Sequence, residues 1–306
     1  MLQNPQVQNP LRGIVLKLGS VVIFITMASL IKATGVPAGQ AVFFRSFFAM
    51  PVILTWLALR RELATGLKVV HPWGHALRGI MGTTAMGMGF GGLMVLPLPD
   101  ATALGYAAPL LTVVFAAWIL GEKVRLFRYS MVSLGLCGVL IVLWPNLGQS
   151  ARDGAALGAA LVLGGAVFSA LAQITIRRLV QVEKTPAIVF YFSLTSTMLG
   201  LATLPFGWVW PTPAQGAMLV CAGLLGGLGQ ILLTSSYRFA DASLVAPFEY
   251  ASILLALGIG FWVFGEVPSR AMLTGAALVV LAGVLIIWRE RWLGLERAKG
   301  KGAGTL

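Results

Sequence analysis

The chain has 306 residues, of which 58% are hydrophobic and only 10% are charged, and its formal net charge is +12. A typical soluble domain carries about 25% charged residues, so this composition excludes a water-soluble globular protein. Most Lys and Arg residues lie in short segments between apolar runs, a pattern that is typical of membrane topology and argues against a nucleic-acid partner.

Apolar runs recur along the chain with no polar gap of domain size between them. A helix needs about 20 residues to cross about 30 Å of hydrocarbon, and ten runs have roughly that length. The predicted spans are 13–33, 40–59, 78–96, 101–120, 128–145, 154–176, 186–206, 215–236, 242–264 and 270–288. The sequence therefore predicts an all-α integral membrane protein with ten transmembrane helices and a basic cytoplasmic tail at 289–306.

Basic residues are divided very unequally between the two sets of alternate loops. One set, with the tail, contains Arg12, Arg60, Arg61, Lys68, Arg78, Lys123, Arg125, Arg128, Arg177, Arg178, Lys184, Arg238, Arg289, Arg291, Arg297, Lys299 and Lys301. The other set contains only Arg152 and Arg270. Because cytoplasmic loops hold the excess of Lys and Arg, both termini are predicted to be cytoplasmic.

The two halves of the chain carry the same markers in the same order. These are Asp100, Gly121-Glu122 and Gly138-Val-Leu-Ile in the first half, and Asp241, Gly265-Glu266 and Gly283-Val-Leu-Ile in the second. The pattern predicts a duplicated unit of five spans, at 13–145 and 154–288. Five is odd, so the second copy must be inverted, an arrangement that is frequent in secondary transporters with a substrate site between the halves. A duplication that serves stability alone is the alternative.

Three short motifs add to this pattern. They are Phe43-Phe44-Arg45 in the second span, His75-Ala-Leu-Arg78-Gly79 at the start of the third, and Ala246-Pro-Phe-Glu249-Tyr250 in the ninth. With the paired markers, they resemble the drug/metabolite transporter superfamily, EamA type, which has ten helices in two inverted five-helix repeats. The resemblance implies a secondary transporter that moves a small polar metabolite across the bacterial inner membrane by alternating access. S-adenosylmethionine, riboflavin and amino-acid-like compounds are the substrate classes it suggests.

Two prolines lie at corresponding positions of the two halves. Proline removes one helical hydrogen bond and clashes with the carbonyl four residues back, so Pro109 should free the carbonyl of Gly105. Pro247 should do the same in the ninth span. Paired interruptions of this kind point to a transporter binding site, whereas two packing kinks are the alternative.

Glu249 is the acidic residue that the sequence places deepest in the membrane. It follows Asp241 by eight residues, which in a helix is about 12 Å. A carboxylate at that depth costs a few kcal/mol unless it has a cation, a donor network or a proton. Glu249 is therefore predicted to bind a cationic substrate group or a coupling proton, and a structural salt bridge is the alternative.

Arg45 lies inside the second span, where two interpretations are open. Its planar guanidinium could clamp a substrate carboxylate, or its long side chain could extend to the membrane interface. Lys17 and Lys32 lie near the ends of the first span and are interpreted as interfacial anchors.

Further polar and aromatic residues inside the spans complete the predicted substrate-binding set. They are Thr83, Tyr106, Gln173, Tyr191, Gln230 and Tyr250. Hydrogen bonds between helices are the commoner role of such hydroxyl and amide groups. Tyr106 and Tyr250 could stack on a planar ring or simply fill space.

Other classes of function find little support in the sequence. His71 and His75 are assigned to a cytoplasmic loop and are too few for a zinc site, so no metal, cofactor or catalytic residue is predicted. The glycine-rich runs at 87–92 and 223–229 lie within spans and indicate close helix packing rather than a nucleotide loop. A small-molecule substrate and the lipid bilayer are the expected partners, and a homodimer is compatible with the sequence. A membrane receptor or scaffold without transport is the alternative function.

Overall fold

A computed structural model of the chain describes residues 10–120, 126–147, 154–180, 182–239 and 246–302. Within these ranges the protein is helical apart from turns and short connections, and no strand occurs there. The markers Glu122 and Asp241 lie outside the described residues.

The helices are labelled α1 to α13 in chain order. The first half contains α1 (Pro10–Thr34), α2 (Ala38–Phe47), α3 (Ala49–Leu59), α4 (Leu63–Gly66), α5 (Pro72–Val95), α6 (Leu98–Gly105), α7 (Ala107–Leu120) and α8 (Leu126–Leu143). The second half contains α9 (Ala155–Leu179), α10 (Thr185–Leu201), α11 (Pro213–Phe239), α12 (Ala251–Phe264) and α13 (Arg270–Gly302). Short 3-10 helices lie at Trp144–Asn146, Leu204–Phe206 and Ala246–Tyr250.

Six helical segments are long and apolar enough to cross a membrane. They are Leu11–Thr34, Ala38–Leu59, Leu98–Ile119, Tyr129–Asn146, Ala155–Ile176 and Pro213–Ser236. Shorter apolar helices lie at Thr185–Leu201, Phe248–Phe264 and Arg270–Ile286, and the glycine-rich α5 lies between the second and third long segments. The all-helical, membrane-spanning class predicted from composition is confirmed.

Two of the long segments are interrupted just before a proline. α6 ends at Gly105, and Tyr106 takes φ −68° and ψ −5° before α7 begins. This is where the missing N–H of Pro109 was predicted to release the Gly105 carbonyl. The break between α2 and α3 at Phe48 has the same cause, because Pro51 cannot donate to the carbonyl of Phe47. Pro247 lies in the 3-10 helix that precedes α12.

The helices pack in a small number of close pairs. α1 packs along α11, α5 along α9, and α8 along α13. α10 contacts α2, α3 and α5, while α6 contacts α12. The main hydrophobic core is continuous across both halves of the chain, from Ile25 in α1 to Ile286 in α13.

Glycine allows the closest of these approaches. A Cβ added at Gly92 of α5 would lie 2.6 Å from the carbonyl oxygen of Gly158 in α9. One added at Gly227 of α11 would lie 2.9 Å from the carbonyl oxygen of Ala49. The glycine-rich runs therefore act in helix packing, as their position within spans indicated.

We expect Gly92→Ala to lower the thermal stability of the purified protein, because the new methyl group would force α5 and α9 apart. Overpacking of this kind costs about 1–3 kcal/mol. Gly89→Ala on the same helix is the matched control, since a Cβ there would meet nothing within 4 Å. Unfolding midpoints measured in one detergent should fall for Gly92→Ala only; equal midpoints would contradict the close approach.

Candidate functional site

A cavity of about 830 Å³ lies between the two halves of the chain. Its walls come from α1, α2, α5, α6, α7, α9, α10, α11 and α13 and from the 3-10 helix before α12. Most of the lining is apolar, with a small number of polar and charged side chains. This composition is typical of sites for small organic molecules.

The cavity brings together most of the residues predicted to bind substrate. The predicted residues that line it are Arg45, Pro109, Gln173, Gln230, Glu249 and Tyr250. They come from both halves of the chain and are as much as 205 positions apart (45 to 250) in the sequence. The side chains of Lys17, Arg78 and Phe192 also line the cavity, and the sequence-based set did not include them.

Four predicted residues, Thr83, Tyr106, Tyr191 and Pro247, are not among those that line the cavity. The Thr83 hydroxyl donates to the Gly79 carbonyl and lies 2.7 Å from the Ser196 hydroxyl, which joins α5 to α10. The Tyr191 hydroxyl donates to the carbonyl of Leu67 at 3.2 Å. Thr83 therefore makes the interhelical hydrogen bond that the sequence left as the alternative, and Tyr191 anchors the segment after α4; a role of either in substrate binding stays a prediction.

Tyr106 lies behind Tyr250 rather than in the cavity. The two rings are 5.0 Å apart in an edge-to-face arrangement, and the Tyr106 hydroxyl lies 2.5 Å from that of Ser252. Tyr106 thus supports the ring that lines the cavity. Pro247 is in the adjacent 3-10 helix, and its place in a substrate site stays a prediction.

An ion pair in the cavity lining joins the two halves of the chain. The Lys17 ammonium of α1 lies 3.0 Å from Oε2 of Glu249. The side chain of Lys17 is 2% exposed and that of Glu249 is 46% exposed. The interpretation of Lys17 as an interfacial anchor is wrong, because its amine points to a carboxylate inside the protein. The salt bridge foreseen as the alternative for Glu249 is present, and half of the carboxylate remains accessible.

Lys32, near the end of α1, also has a carboxylate partner. Its ammonium lies 2.6 Å from Oε1 of Glu266 and 2.5 Å from the carbonyl oxygen of Leu96. The second oxygen of Glu266 accepts the backbone N–H of Leu98 at 2.8 Å. This cluster ties the end of α1 to the α5–α6 connection and to the segment between α12 and α13.

Two buried arginines lie over the same aromatic ring in the cavity wall. The guanidinium carbons of Arg45 and Arg78 lie 5.4 Å and 4.0 Å from the ring centre of Phe192. Arg45 is 4% exposed and Arg78 is 7% exposed, so the interfacial alternative for Arg45 is wrong. Arg78 was assigned to a loop because the apolar run starts there, but α5 begins at Pro72. It therefore lies about 9 Å along the helix from the start of α5.

A separate carboxylate cluster lies outside the spans, where α10 begins. Oε1 of Glu183 accepts the backbone N–H groups of Val70 and His71 at 2.8 and 2.7 Å. The Nε2 atom of His75, which is buried at the start of α5 rather than in a loop, lies 3.4 Å away. Burial alone would raise the pKa of Glu183, but the two N–H donors and the histidine together lower it.

The depressed pKa of Glu183 makes this cluster sensitive to acid. The carboxylate contributes stability above its unfolded-state pKa, about 4.3, and this contribution is lost as the pH falls through the lower folded-state value. We expect Glu183→Gln to lower the unfolding midpoint at pH 7, by the equivalent of about 1–3 kcal/mol, and to flatten its fall on acidification. Glu62→Gln is the control, because Glu62 is 41% exposed and lies 4.0 Å from Lys184. Parallel pH profiles for all three proteins would contradict this role of Glu183.

The Lys17–Glu249 pair can be tested by a double substitution. Removing one partner of a buried pair leaves the other charge uncompensated. Glu249→Gln should therefore destabilise the protein by about 1–3 kcal/mol, less than for a fully enclosed pair since the carboxylate is half exposed. Lys17→Met added to Glu249→Gln should recover part of that loss. Unfolding in detergent measures the coupling, and additive losses would show that the two side chains do not stabilise each other.

Comparison with known proteins agrees with this architecture. The profile of the EamA-like transporter family matches residues 11–144 and again residues 156–288. The chain belongs to this family, which confirms the resemblance drawn from its motifs. It is a multi-pass membrane protein and a member of the drug/metabolite transporter superfamily, whose relatives move small metabolites.

Three relatives have names that state the solute they transport. The chain is 30% identical to the pseudopaline exporter of Pseudomonas aeruginosa strain UCBPP-PA14, over 90% of this chain and 95% of the exporter. It is 27% identical to the S-adenosylmethionine uptake transporter of Rickettsia prowazekii, with 82% and 83% covered. It is 29% identical to a riboflavin transporter of Rhizobium johnstonii, with 83% and 82% covered.

A protein of known crystal structure shares the fold. It superimposes with a TM-score of 0.66 at 20% sequence identity, over 92% of this chain and 98% of its own. At that identity the likeness concerns the fold alone. The relatives are named for three different substrates and for both uptake and export, so the substrate must be argued from the cavity itself.

Proposed function

We propose that the protein is a secondary transporter that carries a small polar metabolite across the bacterial inner membrane by alternating access. The observation that carries the proposal is the charged cavity between the two halves, with Lys17 and Arg45 from one half and Glu249 from the other. Buried ionisable groups inside a membrane are costly and mark substrate or ion pathways. S-adenosylmethionine, riboflavin and amino-acid-like compounds are the substrate classes to test, with proton coupling or exchange as the energy source.

The helix pairs support ten spans arranged as two inverted five-helix repeats. In that arrangement, spans 1 to 5 correspond to spans 6 to 10, with α2–α3, α6–α7 and the segment at 246–264 each counted as one span. Swapping the two repeats turns the contact between spans 1 and 8 (α1 and α11) into one between spans 6 and 3 (α9 and α5), and both contacts are present. Three further pairs, α2 with α10, α6 with α12, and α8 with α13, each join a span to its own counterpart. A pseudo-two-fold axis between the repeats would produce this pattern.

The interruptions of spans 4 and 9 support a substrate site at the centre of this arrangement. Span 4 breaks at Tyr106 beside Pro109, and the described part of span 9 begins with a 3-10 helix that contains Pro247. Backbone that departs from the α-helix inside a membrane is tolerated where it faces protein or a water-filled cavity. Both termini lie in the cytoplasm in this proposal, as the distribution of Lys and Arg predicts.

Each lining residue has a role that its chemistry suits. The half-exposed carboxylate of Glu249 binds a cationic group of the substrate, or a proton, in competition with Lys17. Arg45 binds a carboxylate, Gln173 and Gln230 offer amide donors and acceptors, and Tyr250 packs against an apolar or planar part of the substrate.

Transport in membrane vesicles tests the proposal. Right-side-out vesicles that contain the protein should accumulate or exchange one of labelled S-adenosylmethionine, riboflavin or amino acids. Glu249→Gln should lower the initial rate about tenfold or more and reduce its dependence on pH, because one charge-assisted contact contributes about 1.5–3 kcal/mol. Glu62→Gln, whose side chain is exposed and lies outside the cavity lining, should transport at the rate of the unmodified protein.

Two results would contradict the proposal in different ways. Unchanged uptake and pH dependence in Glu249→Gln would remove Glu249 from the transport mechanism while leaving transport itself in place. Absence of flux for every solute from folded protein would favour a receptor or scaffold, which needs a cavity but no passage through it.

A further inference from the structure

The two arginines of the cavity lack an anionic partner in the part of the chain that the structure describes. No Asp or Glu of those residues lies within 4.0 Å of either guanidinium. Elsewhere among the described residues, three ion pairs lie at 3.4 Å or less, and a fourth, the exposed Lys184–Glu62 contact, lies at 4.0 Å. The Nε atoms of both arginines and Nη1 of Arg78 are buried without a hydrogen-bond acceptor. The face of Phe192 attracts the two cations but supplies no acceptor for their N–H groups.

Glycines leave space for both guanidiniums. A Cβ at Gly82, one turn after Arg78 in α5, would overlap Nη1 of that arginine. A Cβ at Gly226 of α11 would lie 3.0 Å from Nε of Arg45. The glycines therefore leave room for each guanidinium at the edge of the cavity, beside the ring of Phe192.

The charges that line the cavity are unequal. Lys17, Arg45 and Arg78 are cations, and Glu249 is the one carboxylate among the described lining residues. Lys17 and Glu249 lie 3.0 Å apart and offset each other, so the two arginines leave an excess of positive charge. A buried charge without a counter-ion is strongly unfavourable, and an anionic ligand would remove that cost.

Resting on the proposed transport function, we propose that Arg45 and Arg78 together bind an oxyanion of the substrate, a carboxylate or a phosphate, and so select solutes of net negative charge. Both guanidinium carbons lie within 5.4 Å of the centre of the same ring, which keeps them close enough to act on one anionic group or on two neighbouring ones. Guanidinium groups match carboxylate and phosphate oxygens in pairs of parallel hydrogen bonds. S-adenosylmethionine, with a sulfonium, an ammonium and one carboxylate, suits this charge balance less well than an acidic amino-acid-like solute.

Ligand-induced stabilisation of the full-length protein in a neutral detergent tests this site without requiring transport. The probes are succinate, its uncharged diamide and inorganic phosphate, and a probe that binds the folded state raises the unfolding midpoint. Arg45→Gln and Arg78→Gln remove each charge in turn, and Arg60→Gln is the matched control. Arg60 also stacks on an aromatic ring, that of Trp56 at 4.9 Å, but it is exposed and outside the cavity.

The expected result is stabilisation by succinate or phosphate, none by the diamide, and an affinity that falls about tenfold or more in each cavity variant but not in Arg60→Gln. A response to succinate alone assigns carboxylates, and one to phosphate assigns phosphate groups. Arg→Lys variants, which keep the charge but not the planar donor fork, should lose part of the affinity. The cavity Gln variants should also unfold no earlier than the unmodified protein when no probe is present, since they remove an unpaired buried charge.

Several outcomes would overturn the anion site. They are equal stabilisation by succinate and its diamide, no response to either anion, or unchanged anion affinity in the Gln variants together with a lower midpoint without probe. Anion binding without flux in vesicles would keep this site and contradict transport. Flux of a neutral or cationic solute that neither Gln variant changes would keep the transport function and exclude this site.

Discussion

The cost of placing charge in a medium without water governs this structure. Lys17 and Lys32 are paired with Glu249 and Glu266, and each pair joins segments that are distant in the sequence. Outside the spans, the buried carboxylate of Glu183 accepts hydrogen bonds from the backbone before α5. These contacts fix the helix ends and the cavity wall, while the apolar core and the glycine contacts bring the helices close enough for them to form.

The same cost applies to two buried charges that have no anionic partner in the part of the chain that the structure describes. Arg45 and Arg78 are nearly as buried as the paired Lys17, yet both lie over the Phe192 ring with no Asp or Glu of the described residues within 4.0 Å. A cavity edge that holds two cations without an anionic partner among the described residues is suited to receive an anion. The relatives named for different solutes share the family but need not share this charge balance, so the cavity residues are the place to look for specificity.

Helices and their breaks were accessible from sequence because they depend on local properties. Apolar runs of membrane length, and the effect of Pro109 on the Gly105 carbonyl, need only the chain itself. Arg45 and Glu249 were found by their depth within apolar runs. Arg78 was missed because α5 starts six residues before the apolar run, which moved this arginine from a loop into the helix. The partner of Glu249 is 232 residues away, and no local pattern predicts such a contact.

The glycines beside the two arginines make the charge character of the cavity depend on residues that carry no charge. Alanine differs from glycine by one methyl group and by a single nucleotide in the codon, yet at position 82 that methyl would occupy the volume of an arginine nitrogen. Descendants of this protein could therefore change which solutes they accept while every arginine, lysine and glutamate stays in place. Sequence comparisons that follow only the charged positions would not detect such a divergence.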